Sequence, residues 1–266
     1  MYERIIVPID GTERALSPLS HAETLSRTWG RPLEVVHVAT PDDPPAEAEP
    51  EGHEVVRIHH QDAAEALRGR VLATEPPGLL CMASRGRTAI GEMLFGTVTG
   101  QIIRTLHAPL VVTGPELLAP TGPGEMRRML VCLDGSTTSA AILPIVRTWA
   151  TELGLEVRLL HIAYPAGDPA SRQVSIPEET RVVTAELERT AQDLEADGID
   201  VDWRVIEDTT PATGIVRQAA HRTVDLIAMA THGRTGLGRI LTGSVATEVF
   251  RKSPLPVLTV RPERLQ

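Results

Sequence analysis

The sequence predicts an open, mostly parallel α/β fold built twice in tandem, and three observations carry that prediction. Short continuous apolar runs of the kind buried in parallel sheets alternate with stretches whose apolar residues recur at helical spacing. The opening ERIIVPIDGTE returns as RRMLVCLDGST at Arg127–Thr137, and LEVVHVA at Leu33–Ala39 returns as LEVRLLHIA at Leu155–Ala163. The offsets are regular: Asp10 to Asp134 is 124 positions, while Gly86 to Gly233, Gly96 to Gly243 and Pro109 to Pro256 are each 147. A fixed offset of this kind is an internal duplication. Each half then forms a five-stranded, Rossmann-like sheet with helices on both faces.

In the first half, Glu3–Ile9 is an apolar strand ending in Asp10-Gly11-Thr12, and Glu13–Thr28 continues as one helix on Ala15, Leu19, Ala22 and Leu25. Leu33–Ala39 is the second strand, and the Pro- and acid-rich run that follows is a loop. His53–His59 is a weaker third strand, Gln61–Thr74 a short helix, and Gly78–Ala83 a strong fourth strand. A helix over about 97–106 and the strand Leu110–Thr113 close the series.

Gly114–Glu125, GPELLAPTGPGE, has the Pro and Gly density of a linker, dividing a first domain over 1–115 from a second over 126–266. The second half holds 23 extra positions between its second and third strands, where Pro177–Asp197 reads as an amphipathic helix. Parallel neighbours need a crossover of a dozen or more residues, usually helical. The first half therefore either crosses by an irregular loop or misplaces its third strand.

Composition excludes several classes. The formal net charge is −9 and no basic stripe exists, which argues against nucleic-acid binding. Lys252 is the only lysine, and it lacks the preceding glycines of a P-loop. Cys81 and Cys132 each sit in an apolar strand run without C-x-x-C, as free core thiols do. The chain has neither a leader pattern nor an apolar stretch of roughly 18 residues, so a cytoplasmic location without membrane contact is expected.

The chemistry gathers in ATHGRTGLGRILTGS, Ala230–Ser244, which follows the strand-like DLIAMA and leads into a helix. Gly233, nine residues, then Gly243-Ser244 is matched by Gly86, nine residues, then Gly96-Thr97. Glycines let backbone amides approach a ligand, a hydroxyl adds a donor, and the positive end of a helix dipole attracts phosphate. Ligands of such sheets bind where strand order reverses. Asp10 and Asp134 end the first strand of each copy, so one carboxylate faces one anion cradle in each half. Taken singly, each aspartate would serve equally to close a turn before its glycine, and Thr97 and Ser244 to N-cap a helix. His37, His161 and His232 read as hydrogen-bonded structural residues. His59 and His60 carry no assignment, and the acidic run from Asp42 to Glu54 reads as a solvated loop.

Through V-P-I-D-G at Val7–Gly11, L-D-G-S at Leu133–Ser136 and T-H-G-R-T-G-L at Thr231–Leu237, the chain resembles the tandem form of the universal stress protein family. The resemblance extends to the family's ATP-binding motif, G-x-x-G, nine residues, G-[S/T], with Ala83 and Ala230 at the first glycine. It implies that Asp10 and Asp134, beside Ile9 and Leu133, approach adenosine and Mg2+, and that Val38 and Ile162 offer backbone groups to adenine. Phosphates would be held by Gly86, Arg87, Gly96, Thr97 and Val98 beyond Ala83, and by Gly233, Arg234, Gly243, Ser244 and Val245 beyond Ala230.

The resemblance further implies pairing of the final strands, Leu110–Thr113 and Val257–Val260, as an intramolecular pseudo-dimer, with a homodimer also open. Three functions follow: a non-catalytic ATP-binding stress or signalling factor with an unnamed protein partner, a very slow ATPase, or an interaction module that binds no nucleotide. No positioned general base or P-loop lysine supports fast hydrolysis.

Overall fold

The computed structural model describes residues 2–39, 48–84, 96–117, 126–164, 176–221, 224–231 and 243–262. The chain forms two compact units, Met1–Glu125 with Phe250–Gln266, and Met126–Val249. In the first, β1 (Ile5–Ile9), β2 (Leu33–Ala39), β3 (Val55–His59), β4 (Leu79–Ala83) and β5 (Leu110–Thr113) lie parallel in the order β3-β2-β1-β4-β5. Their helices are α1 (Leu19–Trp29), α2 (Ala63–Val71) and α3 (Thr97–Thr105).

The second unit contains β6 (Arg128–Cys132), α4 (Thr137–Ala140), α5 (Leu143–Leu153), β7 (Glu156–Ala163), α6 (Ile176–Glu195), β8 (Val201–Glu207), α7 (Pro211–Ala220) and β9 (Leu226–Ala230). Its strands are parallel in the order β8-β7-β6-β9. Helix α8 (Ser244–Lys252) leads to β10 (Val257–Val260), which completes the first unit by pairing antiparallel with β5, Val257 opposite Val112 and Thr259 opposite Leu110. The two final strands are thus directly hydrogen-bonded, as the resemblance implies.

The expected continuous helix over Glu13–Thr28 is broken. Thr12 caps a short 3-10 turn over Glu13–Leu16, its hydroxyl accepting from the Ala15 amide at 3.4 Å, and α1 restarts with Pro18 as its N-cap. Proline has no amide hydrogen with which to continue the earlier turn. The second half repeats the break, α4 ending at Ala140 and α5 beginning at Leu143 with Pro144 in its first turn.

β3 stands beside β2 in parallel register from Val35–Val55 to Ala39–His59, so the misplaced-strand alternative is overturned. Among the described residues of that crossover there is no helix, and Ala48 N–H donates to Gly11 O at 2.8 Å to hold it across the β1 turn. The second half crosses through α6 instead.

Each sheet is covered on both faces, which explains the unbroken apolar runs. Ile5, Ile6, Leu25, Leu67, Ile102 and Leu110 are buried in the first unit, Trp149, Leu159 and Leu226 in the second. Cys81 and Cys132 are free and buried, and burial pushes both thiols far above their ordinary range. Near the amino ends of the strands, Glu34 pairs with Arg70 and Glu156 with Arg128. Among the described residues, no helix is long and apolar enough to cross a membrane.

Candidate functional site

In each half the first strand parts from the fourth at its carboxyl end. The β1–β2 ladder runs from Ile5–Leu33 to Ile9–His37, whereas β1–β4 pairing covers only Ile5–Leu79 and Ile6–Leu80. Likewise β6 pairs with β7 through Cys132–Leu160, but with β9 only through Val131–Ala228. From β1 the chain winds through β2 to β3 on one side and through β4 to β5 on the other. That reversal is the switch point at which an open α/β sheet offers a crevice.

Asp10 and Asp134 stand at the two crevices, both half-buried. Asp10 Oδ1 accepts from Thr12 N–H at 3.1 Å and from the Thr12 hydroxyl at 2.7 Å. Asp134 Oδ1 accepts from Ser136 N–H at 3.0 Å and from its hydroxyl at 2.6 Å. Between them Gly11 and Gly135 take φ of 81° and 77°, the left-handed region that favours glycine. The turn-closing role is therefore realised in both copies, and it fixes each carboxylate at the end of its strand. Ile9 ends β1, and Leu133 follows β6 with its N–H donating to Leu160 O at 3.0 Å.

Across each crevice a helix begins at a glycine. Gly96 is the N-cap of α3, with φ −62°, ψ 155° and no side-chain cap. Its N–H donates to Ser84 O at 3.1 Å, while its own carbonyl accepts from Gly100 N–H at 2.9 Å. Gly243 repeats this, donating to Thr231 O at 2.8 Å and accepting from Thr247 N–H at 3.0 Å. Thr97 and Ser244 are thus the first helical residues and both are exposed, which corrects their reading as N-caps. At each helix start the glycine's own N–H thus bonds back to the residue just past the preceding strand, Ser84 or Thr231. No side chain therefore competes for the first-turn amides of α3.

Val98 and Val245 follow, half-buried, in those first turns, and Ala83 and Ala230 end β4 and β9. Gly86, Arg87, Gly233, Arg234 and His232 lie outside the described residues. Val38 and Ile162 are buried near the ends of β2 and β7. His161 is structural as expected, its Nδ1–H donating to Leu133 O at 2.9 Å.

Two features escaped sequence reasoning. Thr99, buried in α3, donates its hydroxyl to Ala83 O at 2.9 Å and ties the helix to the end of β4. Gly214 lets α7 seat on β7, for a Cβ there would stand 2.7 Å from Ile162 Cδ1. A glycine inside a helical pattern was the available signal for the second.

Among the described residues no three His, Cys, Asp or Glu side chains gather as a metal site. What each half places at the switch point of a doubly wound sheet, among the described residues, is a glycine-started helix N-terminus and a strand-end aspartate. These features define a protein of the Rossmann-like α/β class.

The universal stress protein family model matches residues 1–78 and 125–261, and the chain belongs to that family of stress-response proteins. A universal stress protein of Mycolicibacterium smegmatis is 28% identical over 71% of this chain and 64% of its own length, just under two thirds of that relative. One from Mycobacterium tuberculosis H37Rv is 25% identical, covering 97% of this chain and 96% of its own. The crystal structure of a universal stress protein from Archaeoglobus fulgidus superposes with a TM-score of 0.70 at 18% identity, covering 98% of this chain and 99% of that one.

Proposed function

We propose that the chain binds ATP and acts as a non-catalytic, nucleotide-dependent stress-response or signalling factor, with the second half as the stronger site. The observation that carries this reading is the repeated pairing of a glycine-started helix with a strand-end aspartate across a parted strand pair. The first-turn amides of α3, without a side-chain cap, suit phosphate oxygens, and α8 begins in the same way. When bound, ATP supplies charge and hydrogen-bonding groups whose presence alters the surface offered to a partner.

With one carboxylate at each crevice among the described residues, Mg2+ would be held chiefly by phosphate oxygens and water, with Asp10 or Asp134 as a ligand. That is a usual arrangement for this ion. Val38 and Ile162 would present backbone groups to adenine. Gly86, Arg87, Gly96, Thr97 and Val98 would surround the phosphates in one half, and Gly233, Arg234, Gly243, Ser244 and Val245 in the other. Family dimerisation through final strands fits the antiparallel β5–β10 pair.

A second reading, in which the first half binds no nucleotide, draws on one observation. The family match stops at residue 78 and resumes at 125, leaving out the first glycine motif. Nucleotide released by denaturing freshly purified protein separates the readings. With both cradles active about two adenine nucleotides per chain are expected; with a silent first half, about one, lost in Gly243→Trp and kept in Gly86→Trp. No nucleotide, together with no uptake of added Mg-ATP, refutes ATP binding.

A further inference from the structure

The chain has few aromatic residues: two tyrosines, two phenylalanines and three tryptophans. Tyr2, Trp149 and Phe250 are buried, and Trp29 and Trp203 are half-buried. Among the described residues Tyr164 is the exposed aromatic, with 46% of its surface in solvent. It stands one residue past the carboxyl end of β7, two residues beyond Ile162.

Tyr164 is held in a defined place. The β7–β8 register ends with Ile162–Ile206 and Ala163–Glu207, and Asp208 N–H donates to Ala163 O at 3.0 Å. Continuing that register sets Asp208 directly beside Tyr164. The Asp208 side chain is only 4% exposed and already engaged: Oδ1 accepts from Thr209 N–H at 2.6 Å, and Oδ2 lies 2.8 Å from Arg217 Nη2. The neighbouring strand end is thereby fixed without using the tyrosine.

The face also fits. Residues two apart along a strand share a face, and Ile162 meets α7 at Gly214. In the first half the helix equivalent to α7 lies against α3, whose start is the anion cradle. Both helices connect strands that advance in the same direction, so right-handed crossovers put them on one side of the sheet. Tyr164 therefore continues β7 on the cradle side. From β9, which the cradle follows, to β7 is two strand spacings, about 10 Å, a distance that a ribose and base can bridge.

We infer that Tyr164 is the base-stacking residue of the second half's site, taking the face of a purine whose phosphates lie at the start of α8. This rests on the ATP reading above and deepens it. Position 40, the equivalent of 164, is Thr40 in the first half, and the counterpart of Asp208 is His60, whose N–H makes the matching bond to Ala39 O at 3.3 Å. A threonine offers no stacking face, so the contribution belongs to the second half alone.

The test uses the full chain carrying Gly86→Trp, so that the second site alone is read, titrated with Mg-ATP and separately with inorganic tripolyphosphate. Tyr164→Ala is expected to weaken ATP about tenfold and leave tripolyphosphate unchanged, while Tyr164→Phe stays within about twofold of the parent for both. Bound adenine H2 and H8 resonances should show upfield ring-current shifts in the parent and in Tyr164→Phe, lost in Tyr164→Ala. Parent-like ATP affinity in Tyr164→Ala overturns the assignment and leaves ATP binding standing. Equal weakening of both ligands also overturns it, as damage to the cradle. A parent chain that binds neither ligand overturns this assignment and the ATP reading together.

Discussion

Gly114, just beyond β5, shows how much one absent methyl can decide. A Cβ there would stand 2.3 Å from Phe250 O and 3.5 Å from Ser253 O, backbone atoms that cannot rotate aside. Gly114→Ala is expected to lower unfolding stability by about 2–3 kcal/mol, measured by denaturant titration, because the close approach must open. An unchanged midpoint would mean that the segment yields freely. Sequence reasoning saw Gly114 only as the first residue of a linker, since nothing local announces a contact with residue 250. Asp10 and Asp134 were legible for the opposite reason: an Asp-Gly turn is written in adjacent residues, and its hydrogen bonds reach only two positions.

At the scale of elements, the β7–β8 pair carries a charge-assisted clamp near its amino end. Arg158 Nε donates to both Asp202 oxygens at 2.7 and 3.0 Å and Nη2 to Oδ2 at 2.6 Å, which holds the Asp202 carboxyl below its ordinary value of 3.8. A carboxyl depressed on folding stabilises the fold fully above the unfolded value, and that contribution fades as pH falls through the folded one. Asp202→Asn should therefore lower the denaturation midpoint at pH 7, with the gap from the parent closing progressively below about pH 4. A gap independent of pH would assign the effect to packing. The elements themselves were largely readable, β2, β5 and β10 to the residue. The break between Leu16 and Leu19 was not, because apolar spacing runs through it and only the missing amide of Pro18 ends the turn.

For the whole molecule, the informative strand is β10. It comes from the end of the second repeat and is the antiparallel neighbour of β5 in the first unit. A chain ending at Pro254 would leave the β5 edge without this partner, and an open edge templates pairing with other chains. Such a truncation should unfold at a lower temperature and self-associate in sedimentation velocity. A monodisperse species with the parent's midpoint would show that β10 is dispensable.

The duplication, the order of strands and helices, the two Asp-Gly turns and the two glycine spacings were determined by sequence alone, since periodicity and turn chemistry act over a few residues. Tertiary structure decided that β1 parts from β4, that Gly96 caps α3, that the third strand of the first half keeps its place beside β2, and that Asp208 bonds back to Ala163 at the end of β7. Each of these depends on hydrogen bonds or contacts between residues distant in the chain, which no local pattern encodes.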